Sequence, residues 1–215
     1  MIGRLLWTQW MDTKTTLLAL LLLLFTNQAS SISPRQCSDS IQRIWRVTRL
    51  TLKESTELIK NYKAAQGALS DVFCKATLQD IPDPTISGLE VSERLESIWD
   101  HILAFRPHLR RVYEQQEDLQ EPGSPVLVQL VDVDRRSQDL GALVLAFYRE
   151  VFPNLQELAE GPAVVDPPAQ NVFQQKVYGC VVLKTYKAFL TNTARELKVL
   201  KGNVCTVRRR FNSLG

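Results

Sequence analysis

Residues 172–201, VFQQKVYGCVVLKTYKAFLTNTARELKVLK, run for thirty positions without a proline. Leu183, Tyr186, Leu190, Ala194, Leu197 and Leu200 recur there at three- and four-residue steps with charge between them, which is the period of an amphipathic helix. Pro167 and Pro168 halt the chain just before it, Asn171 is placed to cap its first turn, and Gly202 stands where a helix commonly ends. At 1.5 Å per residue the helix is roughly 45 Å long. A rod of that length needs partners of similar length, so it points to a bundle rather than a small mixed domain.

Three earlier segments supply those partners. The first starts at Ser38 or Ser40 and ends near Gln66, with Ile41, Ile44, Thr48, Leu52, Ser55, Leu58, Ile59 and Tyr62 on one face and Gly67 after it. The second covers about 89–120, with Leu95, Ile98, Trp99, Ile102, Leu103, Leu109, Val112 and Tyr113; Pro107 inside it predicts a kink or a break. The third covers about 126–151, with Leu127, Leu130, Leu140, Leu143, Val144, Phe147 and Tyr148. Residues 126–133 also alternate as a strand would, but nothing nearby could pair with them.

Loop lengths then set the topology. Residues 121–125, EPGSP, are a short turn that forces the second and third helices antiparallel. The connections at 76–88 and 152–170 are long and proline-rich, enough to cross the full height of a bundle. The expected fold is all-α, an up-up-down-down four-helix bundle with two long crossover loops.

The beginning of the chain reads as a secretory leader, removed near Ser31. Arg4 and Lys14 precede an apolar run at 17–25, and the small residues Ala29, Ser30 and Ser31 follow. Met11 offers an alternative start. Nine apolar residues fall short of the roughly 20 that span a bilayer, so no membrane insertion is expected. Residues 32–215 are enough for a single domain with a full core. The formal charge of +3 creates no strong field toward nucleic acid. Arg208, Arg209 and Arg210 form one basic run, either a solvated tail or a glycosaminoglycan contact. There is no Asn-x-Ser/Thr site.

Four cysteines in a secreted chain admit three pairings. Joining Cys37 to Cys74, or Cys180 to Cys205, would link opposite ends of one long helix, whereas bridged Cα atoms lie within about 7 Å. With the first and last helices antiparallel, Cys37 meets Cys205 and Cys74 meets Cys180. The alternative is that one pair stays free, Cys37 and Cys205 being the more exposed to that reading.

Enzyme chemistry has little to stand on. His101 and His108 are seven residues apart with Pro107 between, and no acid or cysteine sits at metal spacing. Asp132 and Asp134 read as a solvated face. No Gly-x-Ser-x-Gly, phosphate-cradling glycine loop or Cys-x-x-Cys occurs. The chain is expected to be neither an enzyme nor a holder of cofactor or metal. Phe173 and Lys176 are the more informative pair. Periodicity alone makes Phe173 a core or staple residue, but Lys176 shares its face and favours solvent. Exposed together, they are expected to form a binding hot spot, the ring burying area and the ammonium pairing with a carboxylate.

Phe173-Gln174-Gln175-Lys176-Val177-Tyr178-Gly179, followed by Val182-Leu183, resembles the Phe-x-x-Lys start of the last helix in interleukin-6-family cytokines of the leukaemia inhibitory factor, oncostatin and ciliary neurotrophic factor group. Residues 37–41 (CSDSI), Tyr62 with Gln66-Gly67, and Glu93-Arg94-Leu95 are similar to other stretches of ciliary neurotrophic factor. The resemblance implies a long-chain cytokine fold and a secreted monomer. It implies that Phe173 and Lys176 contact a leukaemia-inhibitory-factor-type receptor, while faces of the first and third helices engage a shared signalling chain. It also implies a Cys74–Cys180 bridge, since relatives join a cysteine after the first helix to one four residues beyond that lysine. An alpha receptor is not implied: Asn192 and Phe189 replace the arginine and tryptophan that serve it. The leader also differs from ciliary neurotrophic factor, a mixture that fits a fish-type member. From the residues alone, a secreted helical carrier of lipid or another apolar ligand is the alternative function.

Overall fold

Ser33 opens the first long helix. Its hydroxyl accepts from the Gln36 amide at 3.2 Å, the Gln36 side chain turns back toward the Ser33 amide, and Pro34 occupies the first helical position. The computed structural model describes residues 33–155, 158 and 170–211, all within Ser33–Gly215. The expected leader and most of the 152–170 connection lie outside the described residues. Among those described, the chain forms α1 (Pro34–Gln66), α2 (Ser70–Phe73), α3 (Val91–Glu117), α4 (Pro125–Val151) and α5 (Val172–Phe211).

Several boundaries differ from the sequence reading. α1 begins earlier than Ser38 because the capping box and Pro34 start it. α3 is shorter at both ends than 89–120: Glu90 caps it with Glu93 reaching back, and Gly88 before it takes φ +119°. It runs unbroken through Pro107. The 126–133 stretch is helical, α4 being capped by Ser124. The expected stop at Gly202 is absent, and α5 continues to Phe211. An interior glycine costs about 1 kcal/mol relative to alanine. Burial of Leu200, Val204 and Cys205, with Cys205 bonded to Cys37, outweighs that. Residues 68–75, between the first helix and the proline-rich connection, carry no periodicity that announced α2.

Contacts at both ends of each helix fix the directions. Cys37 with Cys205 and Cys74 with Cys180, Cα atoms 5.7 and 5.2 Å apart, set α1 against α5 antiparallel. Arg94–Glu196 and His108–Tyr178 set α3 antiparallel to α5. Asn61–Gln129 and Glu54–Arg136 do the same for α1 and α4. Arg106–Asp134, with Gly141 against Trp99 and Ile102, does so for α3 and α4. α1 and α3 therefore run together, and α4 and α5 run back: an up-up-down-down bundle with crossover connections.

The bundle closes on Ile41, Ile44, Leu58, Leu95, Ile98, Ile102, Leu109, Phe147 and an aromatic layer. In that layer Phe105 stacks on Phe189 at 5.4 Å and meets Tyr186 edge-on. Each such side chain contributes about 1.5–3 kcal/mol on burial. Buried Thr48 and Thr51 satisfy their hydroxyls on the carbonyls of Ile44 and Val47, one turn back. Among the described residues no helix is long and apolar enough to cross a membrane.

Candidate functional site

The first turn of α5 is held on several sides. Asn171 Oδ1 accepts from the Gln174 amide and the Gln174 side chain accepts from the Asn171 amide, both at 2.9 Å, a reciprocal cap of the kind anticipated for Asn171. Gln115 on α3 donates to the Gln170 side chain at 2.8 Å, anchoring the approach. Within this frame Phe173 is 61% exposed. Its ring rests edge-on against Phe73 of α2, centroids 6.2 Å apart, while Phe73 itself is buried. The next residue, Cys74, is bonded to Cys180, so α2 is locked to the helix that carries Phe173. Val172 is also exposed here, and so are Leu69 at the start of α2 and Val72 within it.

Lys176 is half-buried one turn on, and its backbone carbonyl accepts a hydrogen bond from the Tyr62 hydroxyl at 3.1 Å. That bond depends on Gly179, where a Cβ would collide with the Tyr62 phenol. The glycine of Phe-x-x-Lys-x-x-Gly thus lets α1 reach the backbone under the lysine. Gln116 adds a long contact to the same hydroxyl at 3.5 Å and accepts from Gln66 at 2.7 Å and Gln120 at 3.2 Å. The ends of α1 and α3 are thereby stitched together. Burial pushes the Tyr62 hydroxyl pKa well above its ordinary value, keeping it protonated to donate.

Neighbouring Tyr178 faces inward. Its hydroxyl lies 2.7 Å from His108 Nδ1, and Arg111 sits 5.1 Å over its ring. Burial raises the Tyr178 hydroxyl to about 12, Arg111 opposing and Asp80 adding to the shift. His108 is lowered by burial first and by Arg111 second, against Asp80. The two form a neutral hydrogen-bonded pair. His101 is elsewhere, its Nδ1 donating to the Ser97 carbonyl at 2.6 Å and its ring stacked on Phe189. Among the described residues no group of three or more metal-ligating side chains is gathered. Asp132 pairs with exposed Arg135 at 2.8 Å, but Asp134 is not the solvated residue expected: it bonds Arg106 across α3 and α4 at 3.2 Å.

Positions 189 and 192 are also settled structurally. Phe189 is fully buried, and Asn192 donates to the Pro84 carbonyl at 2.8 Å, tying the first crossover to α5. What the sequence reading missed is Phe73 and the Tyr62–Gly179 contact. Both join residues about a hundred or more positions apart, and only the glycine left a signal. The arrangement sets an exposed aromatic ring beside a half-buried lysine on a rigid mount.

No protein-family model matches the chain. It is 30% identical over 189 residues to cardiotrophin-2 of Pan troglodytes, covering 81% of this chain and 89% of that protein. It is 28% identical over 187 residues to cardiotrophin-2 of Mus musculus, covering 80% and 87%. With that similarity along a crossover-connected helical bundle, the chain belongs to the interleukin-6-family cytokines of the ciliary neurotrophic factor and leukaemia inhibitory factor group, and is not an enzyme.

Proposed function

We propose that this cytokine is a secreted monomer that brings two receptor chains together. Phe173 and Lys176 engage a leukaemia-inhibitory-factor-type receptor, and outer faces of α1 and α4 engage the shared signalling chain of the family. Residues 1–31 serve as the removed leader, and 32–215 as the signalling domain. The observation that carries the reading is an exposed aromatic at a helix start whose mount is fixed by a disulfide, an edge-on ring and a buried tyrosine. Such pre-organisation lowers the ordering cost of binding. On α1 and α4, Leu50, Val128 and Val131 remain exposed apolar side chains available to the second receptor. Phe189 and Asn192 are committed to the interior and the crossover, which supports a mode without an alpha receptor. Among the described residues the centre of the bundle is occupied by the packed rings of Phe105, Tyr186 and Phe189, which supports a cytokine over an apolar-ligand carrier.

The test is Phe173→Ala with Lys176→Ala, helicity checked by circular dichroism. Binding to the receptor ectodomain is expected to weaken by on the order of 100-fold, with receptor-dependent tyrosine phosphorylation lost in parallel. A folded double variant that signals fully would refute the assignment.

A further inference from the structure

Between α1, α2 and the middle of α5 lies an open groove of about 780 Å³, continued by a second of about 420 Å³ that shares Lys63, Asp71 and Lys184 with it. Its lining is basic. Lys60 and Lys63 come from α1, Lys184 and Lys187 from α5, and Lys75 from the chain just past α2, against the single carboxylate of Asp71. Each helix places its two lysines at i and i+3, hence on one face, about 5–6 Å apart. Because α1 and α5 are antiparallel neighbours, the two pairs flank the groove as rows.

Internal contacts do not use up this charge. Lys63 holds Asp71 at 2.9 Å, and Lys184 donates to the Cys74 carbonyl at 2.8 Å, yet each ammonium has three donors. Lys60 meets Glu57 at 3.7 Å, both largely solvated, a pair worth little. The Asp71 carboxyl is held below its usual range by the Lys63 hydrogen bond and charge, with Lys75 adding to the effect. It stays ionised and offsets one lysine of five.

An open trough with charges on two rows suits an extended polyanion better than one small ion, because each contact releases condensed counterions from the ligand. The lining contains no aromatic side chain on which bases could stack. It also lacks the large apolar face that seats a helix in a membrane. A cytokine acts outside cells, where the abundant polyanions are sulfated polysaccharides. We propose that this groove binds a sulfated glycosaminoglycan chain, through lysines separate from Phe173 and Lys176.

The probe is a heparin octasaccharide, titrated calorimetrically into the disulfide-bonded protein at about 0.15 M salt. Lys60→Gln with Lys187→Gln removes two groove charges that hold no other element in place. Arg110→Gln with Lys198→Gln removes two exposed charges outside the groove lining. The groove pair is expected to lose roughly tenfold in affinity and to flatten the salt dependence, and the outside pair to change it less than about twofold. Equal losses in both pairs, or full affinity in the groove pair, would overturn the proposal. So would loss confined to a variant with Arg208, Arg209 and Arg210 changed to Gln, or tighter binding to phosphatidylserine vesicles than to heparin.

Discussion

Cys37–Cys205 and Cys74–Cys180 are chemically the same link between the α1 side of the bundle and α5, but their surroundings differ. Around Cys74–Cys180 are Phe73 against Phe173, the Tyr62 hydroxyl on the Lys176 carbonyl, and glutamine pairs joining α1, α3 and the approach to α5. Near Cys37–Cys205 in sequence, Leu200 and Val204 are buried, Ser33 and Gln36 cap the start of α1, and Lys201 meets Gln42 at the surface. One bridge orients a surface; the other secures an end. The same covalent bond therefore stiffens an exposed side chain only where non-covalent contacts pass its rigidity on to it.

Removing the bridges separately is the strongest way to break this comparison. Loops of 106 and 168 residues contribute about 5 kcal/mol each in the chain-entropy model, as an upper value. Cys74→Ser/Cys180→Ser and Cys37→Ser/Cys205→Ser should lower urea-unfolding stability by similar amounts. Only the first should also weaken receptor binding of the folded fraction; equal effects on binding would erase the distinction. Gly179→Ala comes next. Its methyl group meets the Tyr62 phenol, so a loss of about 1–3 kcal/mol is expected, with receptor affinity falling too. Tyr62→Phe alone should cost about 1 kcal/mol, the net worth of its hydrogen bond. In the Gly179→Ala background it should recover part of the loss, which chemical denaturation would show as a positive coupling.

The smallest effect concerns pH. The His108 pKa is depressed by burial, so the unfolded chain binds the extra proton first as pH falls. Stability contributed by neutral His108 is complete above its unfolded pKa near 6.5 and declines as pH falls toward the folded value. His108→Gln should flatten the decline in unfolding midpoint between pH 7 and 5.5. An unchanged slope would show that His108 does not contribute.

Much of the fold was legible because it rests on local rules. Periodicity placed the long helices, and loop lengths implied their directions. The failures came where distant partners override local preference. Gly202 is a helix stop until Cys205 is tied to Cys37, and Asp134 is a solvated acid until Arg106 reaches it from another helix. At the candidate site, the exposure of Phe173 was readable from the lysine that shares its face. Phe73 was not, since α2 is four residues long and has no period to show.

The Cys37–Cys205 bridge also has a consequence for how the molecule can be handled. The point where the chain enters the bundle and a point near the end of α5 are covalent neighbours, roughly 50 Å along α5 from Phe173. A dye, surface linker or fused carrier attached beside that bridge would leave the aromatic end facing outward. Two copies joined there would present their Phe173 surfaces in opposite directions, one protein reaching two cells.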